Sequence, residues 1–72
     1  MKLCQCQAGR RYVITDIRLS EPLKRRLEEL GIKRNAEVFV QSRKNSGTLI
    51  IKVRESRLAL GHLIGEGIET AE

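Results

Sequence analysis

Between Leu23 and Val40 the chain reads LKRRLEELGIKRNAEVFV, and the period of its apolar positions changes once along that stretch. Leu23, Leu27 and Leu30 stand at i, i+4 and i+7, on one face of a helix. Ser20 is placed to cap the helix, and Pro22 falls in its first turn, where a missing N–H costs little. The pattern predicts a helix running to about Leu30. It should stop at Gly31 in the left-handed conformation, with Ile32 folding back on Leu27. Lys33, Arg34 and Asn35 form the predicted turn, asparagine being the residue other than glycine that best accepts φ > 0. From Glu37 to Arg43 the period is two, with Val38 and Val40 alternating against Glu37, Phe39 and Gln41.

The same alternation predicts strands elsewhere. Tyr12–Ile17 is rich in β-branched and aromatic residues. Thr48–Arg54 puts Leu49, Ile51 and Val53 on one face and Ile50 on the other, after a hairpin loop at Lys44–Gly47. A turn at Glu55–Arg57 precedes a short strand at Leu58–Leu60. Gly61–Gly65 is predicted as a single helical turn, and Ile68 lies in a last short strand, with Thr70–Glu72 expected to fray. Leu3–Cys6 reads as an extended lead-in segment. Five or six short strands and one helix predict an all-β protein with one inserted helix, folded as a small, partly open β-barrel. Closure of such a barrel also hides strand edges.

Composition sets the bounds. The chain has 72 residues, which makes one domain spanning 1–72. A domain this small buries only about 60% of its unfolded surface. Its 40% apolar content still allows folding without a disulfide or a metal. No apolar run approaches the roughly 20 residues that span a bilayer. The N-terminus, MKLCQCQAGRR, turns polar after Leu3 and lacks a signal-peptide core, so a cytoplasmic location is expected. Cys4 and Cys6 are separated by one residue, too close for an unstrained disulfide, and are expected as free thiols.

The net charge of +5 attracts anionic partners without choosing among them. One Tyr, one Phe and no Trp leave few platforms for stacking bases. No catalytic constellation is present. There is one His and no phosphate-binding loop, and Gly61, Gly65 and Gly67 lack the strand and helix that would frame one. Cys4, Cys6 and His62 amount to three soft metal ligands where a structural zinc site wants four. Cys6 is expected instead as a small buried hydrophobe in the first strand, and His62 as a surface turn residue.

Two surface features remain. Lys24, Arg25 and Arg26 stand early in the helix and Glu28 and Glu29 late, against the helix dipole. The i,i+4 pairs Lys24–Glu28 and Arg25–Glu29 offset this only weakly. Such a choice marks either a contact surface or a plain solvated face. Ile50 and Phe39 sit on the faces of their strands opposite the core-forming residues. They form either a small apolar patch across the hairpin or, for Phe39, packing under the helix.

The order L-x-x-C-x-x-G (Leu3 to Gly9), YVITDI, RLEELGI (Arg26 to Ile32), EVFV, a Gly-containing hairpin and LIIKVRESRLAL resembles the FeoA family of ferrous-iron transport A proteins. The resemblance covers nearly the whole chain, and R-L-x-x-L-G-I is its most specific part. The chain departs from the family's usual residues at Cys6 (Leu), Arg34-Asn35 (Pro-Gly), Glu55 (Gly), Gly61 (Arg), Gly65 (Ala) and Thr70 (an apolar residue). The resemblance implies an SH3-like barrel. It also implies a non-enzymatic accessory role in bacterial ferrous-iron uptake, through protein–protein interaction with the FeoB membrane transporter. The same barrel occurs in iron-dependent repressors, but no helix-turn-helix precedes it in this sequence. Two other readings are a nucleic-acid-binding SH3-like barrel, ribosome- or RNA-associated, and a metal carrier using Cys4 and Cys6. The expected partner surface is the basic helix face with the adjoining hairpin, through Arg25, Arg26, Arg43, Lys44 and Ile50. No catalytic residue, cofactor, metal ligand, nucleic acid or membrane insertion is expected.

Overall fold

The computed structural model describes residues 1–72 as eight elements. A 3-10 turn at Leu3–Gln5 leads into β1 (Arg11–Ile17), α1 (Glu21–Glu29), β2 (Glu37–Arg43), β3 (Leu49–Val53), β4 (Ser56–Leu60), α2 (His62–Glu66) and β5 (Ile68–Ala71). The five strands form one antiparallel sheet in the order β4-β3-β2-β1-β5. The sheet curls around its core without pairing β4 to β5, so the barrel stays partly open.

The helix stop forms as its chemistry requires. Gly31 has φ +97°, its N–H bonds Glu28 O at 3.1 Å, and the Ile32 N–H bonds Leu27 O at 2.9 Å. These two bonds are the Schellman pair, which satisfies carbonyls that the end of a helix leaves free. Asn35 takes φ +73°, and the turn it closes is tied to β1 through Asn35 N–H to Ile14 O (2.7 Å) and Ile14 N–H to Ala36 O (2.9 Å). Ser20 precedes the helix, but its side chain makes no capping bond. Leu27 is 4% exposed and Leu23 packs against the core. Leu30 is 47% exposed, because the helix has ended at Glu29 and the chain at Leu30 is already leaving the helical path.

The core joins Leu27 and Ile32 to the inward residues of every strand: Tyr12, Ile14 and Ile17, Val38 and Val40, Leu49, Ile51 and Val53, Leu60, and Ile68. Two bulges interrupt the alternation that defines these faces. One lies in β1 between Ile14 and Asp16, the other in β2 between Val40 and Ser42. A bulge inserts one extra residue and reverses the facing of everything after it.

Several expectations are corrected. Leu3–Gln5 is a 3-10 turn rather than extended, with Leu3 and Cys4 buried. The loop between β3 and β4 is Arg54-Glu55, with Arg54 at φ +57°, and Ser56 and Arg57 already belong to β4. The helical turn expected at Gly61–Gly65 does form, as the five-residue α2 with Gly61 at its N-cap. The C-terminus does not fray at Thr70. Thr70 is 3% exposed, its N–H bonds Met1 O and its hydroxyl donates to the same carbonyl at 2.9 Å, so the two chain ends hold each other.

Asp16, beside the β1 bulge, accepts the Ile17 N–H at 2.9 Å and faces the guanidinium groups of Arg18 and Arg34, each at 3.3 Å. The Arg18 contact, then the Ile17 N–H and Arg34, hold its carboxyl below the usual aspartate range. A carboxylate with a lowered folded-state pKa contributes stability above its unfolded pKa, and that stability is lost as pH falls through the folded value. Asp16→Asn is therefore expected to flatten the acid limb of the stability–pH curve without altering stability's pH dependence near neutrality. Urea midpoints measured between pH 2 and pH 7 check this.

Candidate partner-docking surface

The structure separates the five residues expected to form one partner surface. Arg25 and Arg26 are exposed on α1, beside Pro22, Glu29 and Leu30. Arg26 falls in the last turn, where a cation suits the helix dipole, and Glu21 occupies the first turn. The charge order is thus less costly than the sequence implies. Neither Lys24–Glu28 nor Arg25–Glu29 closes to an ion pair; the ion pairs lie elsewhere, at Met1–Glu69, Arg10–Glu72, Asp16–Arg18, Asp16–Arg34 and His62–Glu66.

The hairpin does not adjoin this helix end. Gly31 lies against Val53 and Arg54, at the far end of β3, while Gly47 in the β2–β3 loop lies against His62 of α2. The seven residues of β2 separate the two ends, roughly 20 Å at the usual rise per residue. Lys44 is exposed in the loop.

The β2 bulge places Arg43 on the core side of its strand, at the end of the barrel, where the residue stays exposed. Plain alternation places it on the outward face with Phe39 and Gln41. The extra residue instead sets it opposite Leu49, whose side chain is buried. From there its guanidinium donates to Cys6 O at 3.2 Å and to Cys4 O. Arg43 therefore ties β2 to the N-terminal turn, filling carbonyls that the short 3-10 segment leaves open.

Ile50 keeps its expected facing. It lies opposite Ser42 on one side and Ala59 on the other, half-buried on the outward face. Phe39 is on the same face and not under the helix. Its direct partners are Arg11 on β1 and Lys52 on β3, so Ile50 is its diagonal neighbour rather than its opposite number. Around Phe39 the outward sheet surface forms an open groove of about 470 Å³, lined by Arg11, Glu37, Gln41, Lys52 and Arg54. Sequence reading missed Arg11, Lys52 and Arg54 because their convergence depends on strand register. The available signal was that each sits at an outward position of its strand or at a strand end.

The thiols are enclosed. Cys6 is fully buried just after the 3-10 turn, not in β1, and its Sγ is 3.2 Å from the Thr70 hydroxyl. Burial pushes the Cys6 thiol up, against smaller opposing effects of the Thr70 hydroxyl and the N-terminal ammonium. His62 is exposed at the start of α2, with Nε2 2.9 Å from Glu66 Oε1. No group of three His, Cys, Asp or Glu side chains is placed to hold a metal ion. Under native conditions Cys6 is expected to resist iodoacetamide, reacting only after denaturation. Mass spectrometry of the alkylated chain reads this directly, and prompt native labelling of Cys6 would contradict it.

The whole of this barrel has counterparts. The chain matches the model of the FeoA domain over residues 1–70. A solution structure of the FeoA protein from Chlorobium tepidum superposes with a TM-score of 0.89 at 28% identity, over 97% of this chain and 68% of that one. The zinc-complexed FeoA of Stenotrophomonas maltophilia, described as a prokaryotic SH3 domain protein, gives 0.84 at 22% identity over 99% and 89% of the two chains. A manganese-dependent transcriptional repressor shares the fold, with a TM-score of 0.81 at 20% identity over 94% of this chain and 39% of its own length. A search of curated protein sequences finds no match.

Proposed function

Because the chain belongs to the FeoA family, we propose that it is an accessory protein of bacterial ferrous-iron uptake. It acts without catalysis, by binding the cytoplasmic side of a FeoB-type transporter. The observation that carries this reading is the surplus of unpaired cations on an ordered surface. The net charge is +5, and Arg11, Arg25, Arg26, Lys44, Lys52 and Arg54 lie outside every ion pair. Such a field steers a negatively charged partner into encounter. Arg25 and Arg26, with the exposed Leu30 beside them, and Lys44 at the hairpin contribute steering charge. Ile50 contributes an apolar contact on the sheet face. Arg43 contributes little, since its guanidinium already serves two carbonyls.

The Stenotrophomonas protein has been put forward as a ferrous iron transport activating factor, which agrees with such a role. No helix of this chain is long and apolar enough to cross a membrane, so a transport role calls for a membrane partner. The RNA-binding alternative has less to rest on. Tyr12 is buried, which leaves Phe39 as the one aromatic ring at the surface.

The test is a pull-down with the tagged chain from native membranes, with and without added nuclease. Retention of the transporter that survives nuclease supports the reading. Recovery of ribosomal or RNA-bound material that nuclease abolishes sinks it.

A further inference from the structure

We infer that the outward face of β1–β2–β3–β4 is a docking groove for an acidic, extended segment of a partner protein that carries at least one apolar side chain. This rests on the reading above that the chain works by docking on a partner, and it names the surface and the chemistry it accepts.

The geometry is a single row of cross-strand partners. Arg11 lies opposite Phe39, Phe39 opposite Lys52, and Lys52 opposite Arg57. Directly paired residues project from the same side of a sheet, so the row presents cation, aromatic ring, cation, cation across four strands. At about 4.8 Å between strands, Arg11 and Lys52 are roughly 10 Å apart with Phe39 between them, and Arg57 extends the row to roughly 14 Å. Arg54, just past the end of β3, lines one side of the groove, and Ile50 lies outside it on the same face of β3, two residues from Lys52 toward the hairpin.

Two features mark this row as a contact surface rather than an ordinary solvated face. Lys52 and Arg57 stand directly opposite each other, a like-charge pair that destabilises a sheet, and no acid of the chain closes an ion pair with either. Glu37 is the one carboxylate lining the groove, against Arg11, Lys52 and Arg54. A local cost without compensation inside the chain finds its compensation in a partner. Phe39 is half-buried and its ring borders the groove, offering an apolar anchor between the charges.

Charge complementarity fixes the occupant. Carboxylates three residues apart in a polyproline-II-like extended segment project from the same side about 9 Å apart, and so reach Arg11 and Lys52 while the residues between them cover Phe39. A nucleic acid strand meets the same charges but finds one ring to stack on, and Glu37 in its path.

The probe is the hexapeptide acetyl-Asp-Glu-Leu-Phe-Asp-Glu-amide, titrated into the full ¹⁵N-labelled chain and followed by amide chemical shifts. Its Asn/Gln counterpart and an oligouridine serve as comparisons. The acidic peptide is expected to move the amides of Arg11, Phe39, Lys52 and Arg57, with affinity at least about tenfold above that of the neutral peptide and above that of oligouridine. Arg11→Glu with Lys52→Glu should lose about tenfold or more, and Arg11→Gln with Lys52→Gln somewhat less. The same charge change at Lys2→Glu with Lys33→Glu should leave binding near the parent's. Shifts centred on α1, equal binding of the neutral peptide, tighter binding of oligouridine, or indifference to the Arg11 and Lys52 variants would each overturn the groove. Failure of the transporter to bind, while the peptide still seats in the groove, would overturn the partner assignment alone. Transporter binding unchanged by the Arg11 and Lys52 variants would overturn the groove and leave the partner assignment standing.

Discussion

Leu27→Ala is expected to cost about 2–5 kcal/mol of folding stability. Leu27 is 4% exposed, contributes the one fully enclosed side chain of α1, and supplies the carbonyl that receives the Ile32 N–H. Truncation leaves a cavity in a core whose other members are held by strand and turn backbone and cannot easily fill it. A chain of this length holds in total only about 4–11 kcal/mol. The variant should therefore unfold partly at room temperature, with a lowered urea midpoint and an unchanged slope in whatever folded fraction remains. A loss below about 1 kcal/mol would mean that α1 does not rest on the core.

Gly31→Val is expected to cost at least about 2 kcal/mol, by a different route. At φ +97° a β-branched residue is strained whatever space surrounds it. Here the space is also short, because a Cβ at Gly31 would sit 3.2 Å from Val53 Cγ1. Relief by unwinding the stop forfeits the hydrogen bonds to Glu28 O and Leu27 O. Gly31→Ala keeps the strained dihedral without the branch and should lose less. Thermal midpoints of the two variants give the ordering. A valine variant as stable as the parent would show that the helix stop contributes nothing to the fold.

The legible parts of the chain were those whose cause is local. The Leu23/Leu27 spacing, Gly31 followed by Ile32, and Asn35 in the turn all act within a few residues, and each appears as its chemistry predicts. The bounds of β2 matched because Val38 and Val40 alternate cleanly up to the bulge. What escaped is non-local. Nothing in EVFVQSR announces that Gln41 is an extra residue, so the sequence does not show that Arg43 lies on the side of Leu49. Thr70 looks like a fraying polar residue until Met1 O and the Cys6 thiol are placed beside it, more than sixty residues away in sequence. Three residues are too few to show a helical period, so Leu3–Gln5 passed as extended. Of the candidate surface, Ile50 was legible from strand parity. Arg11, Phe39 and Lys52 came together only through register, which links β1, β2 and β3 across a helix and two loops.

The central claim is that this chain works by charge-steered docking on the cytoplasmic part of an iron transporter. Kinetic binding of the purified chain to the transporter's soluble domain, at two salt concentrations, tests it most directly. The account predicts association that slows as salt rises. It also predicts that Arg25→Glu with Arg26→Glu slows association and weakens its salt dependence, while Ile50→Asp mainly speeds dissociation. The absence of any binding by the parent chain, or variants that associate and dissociate like the parent, would contradict it.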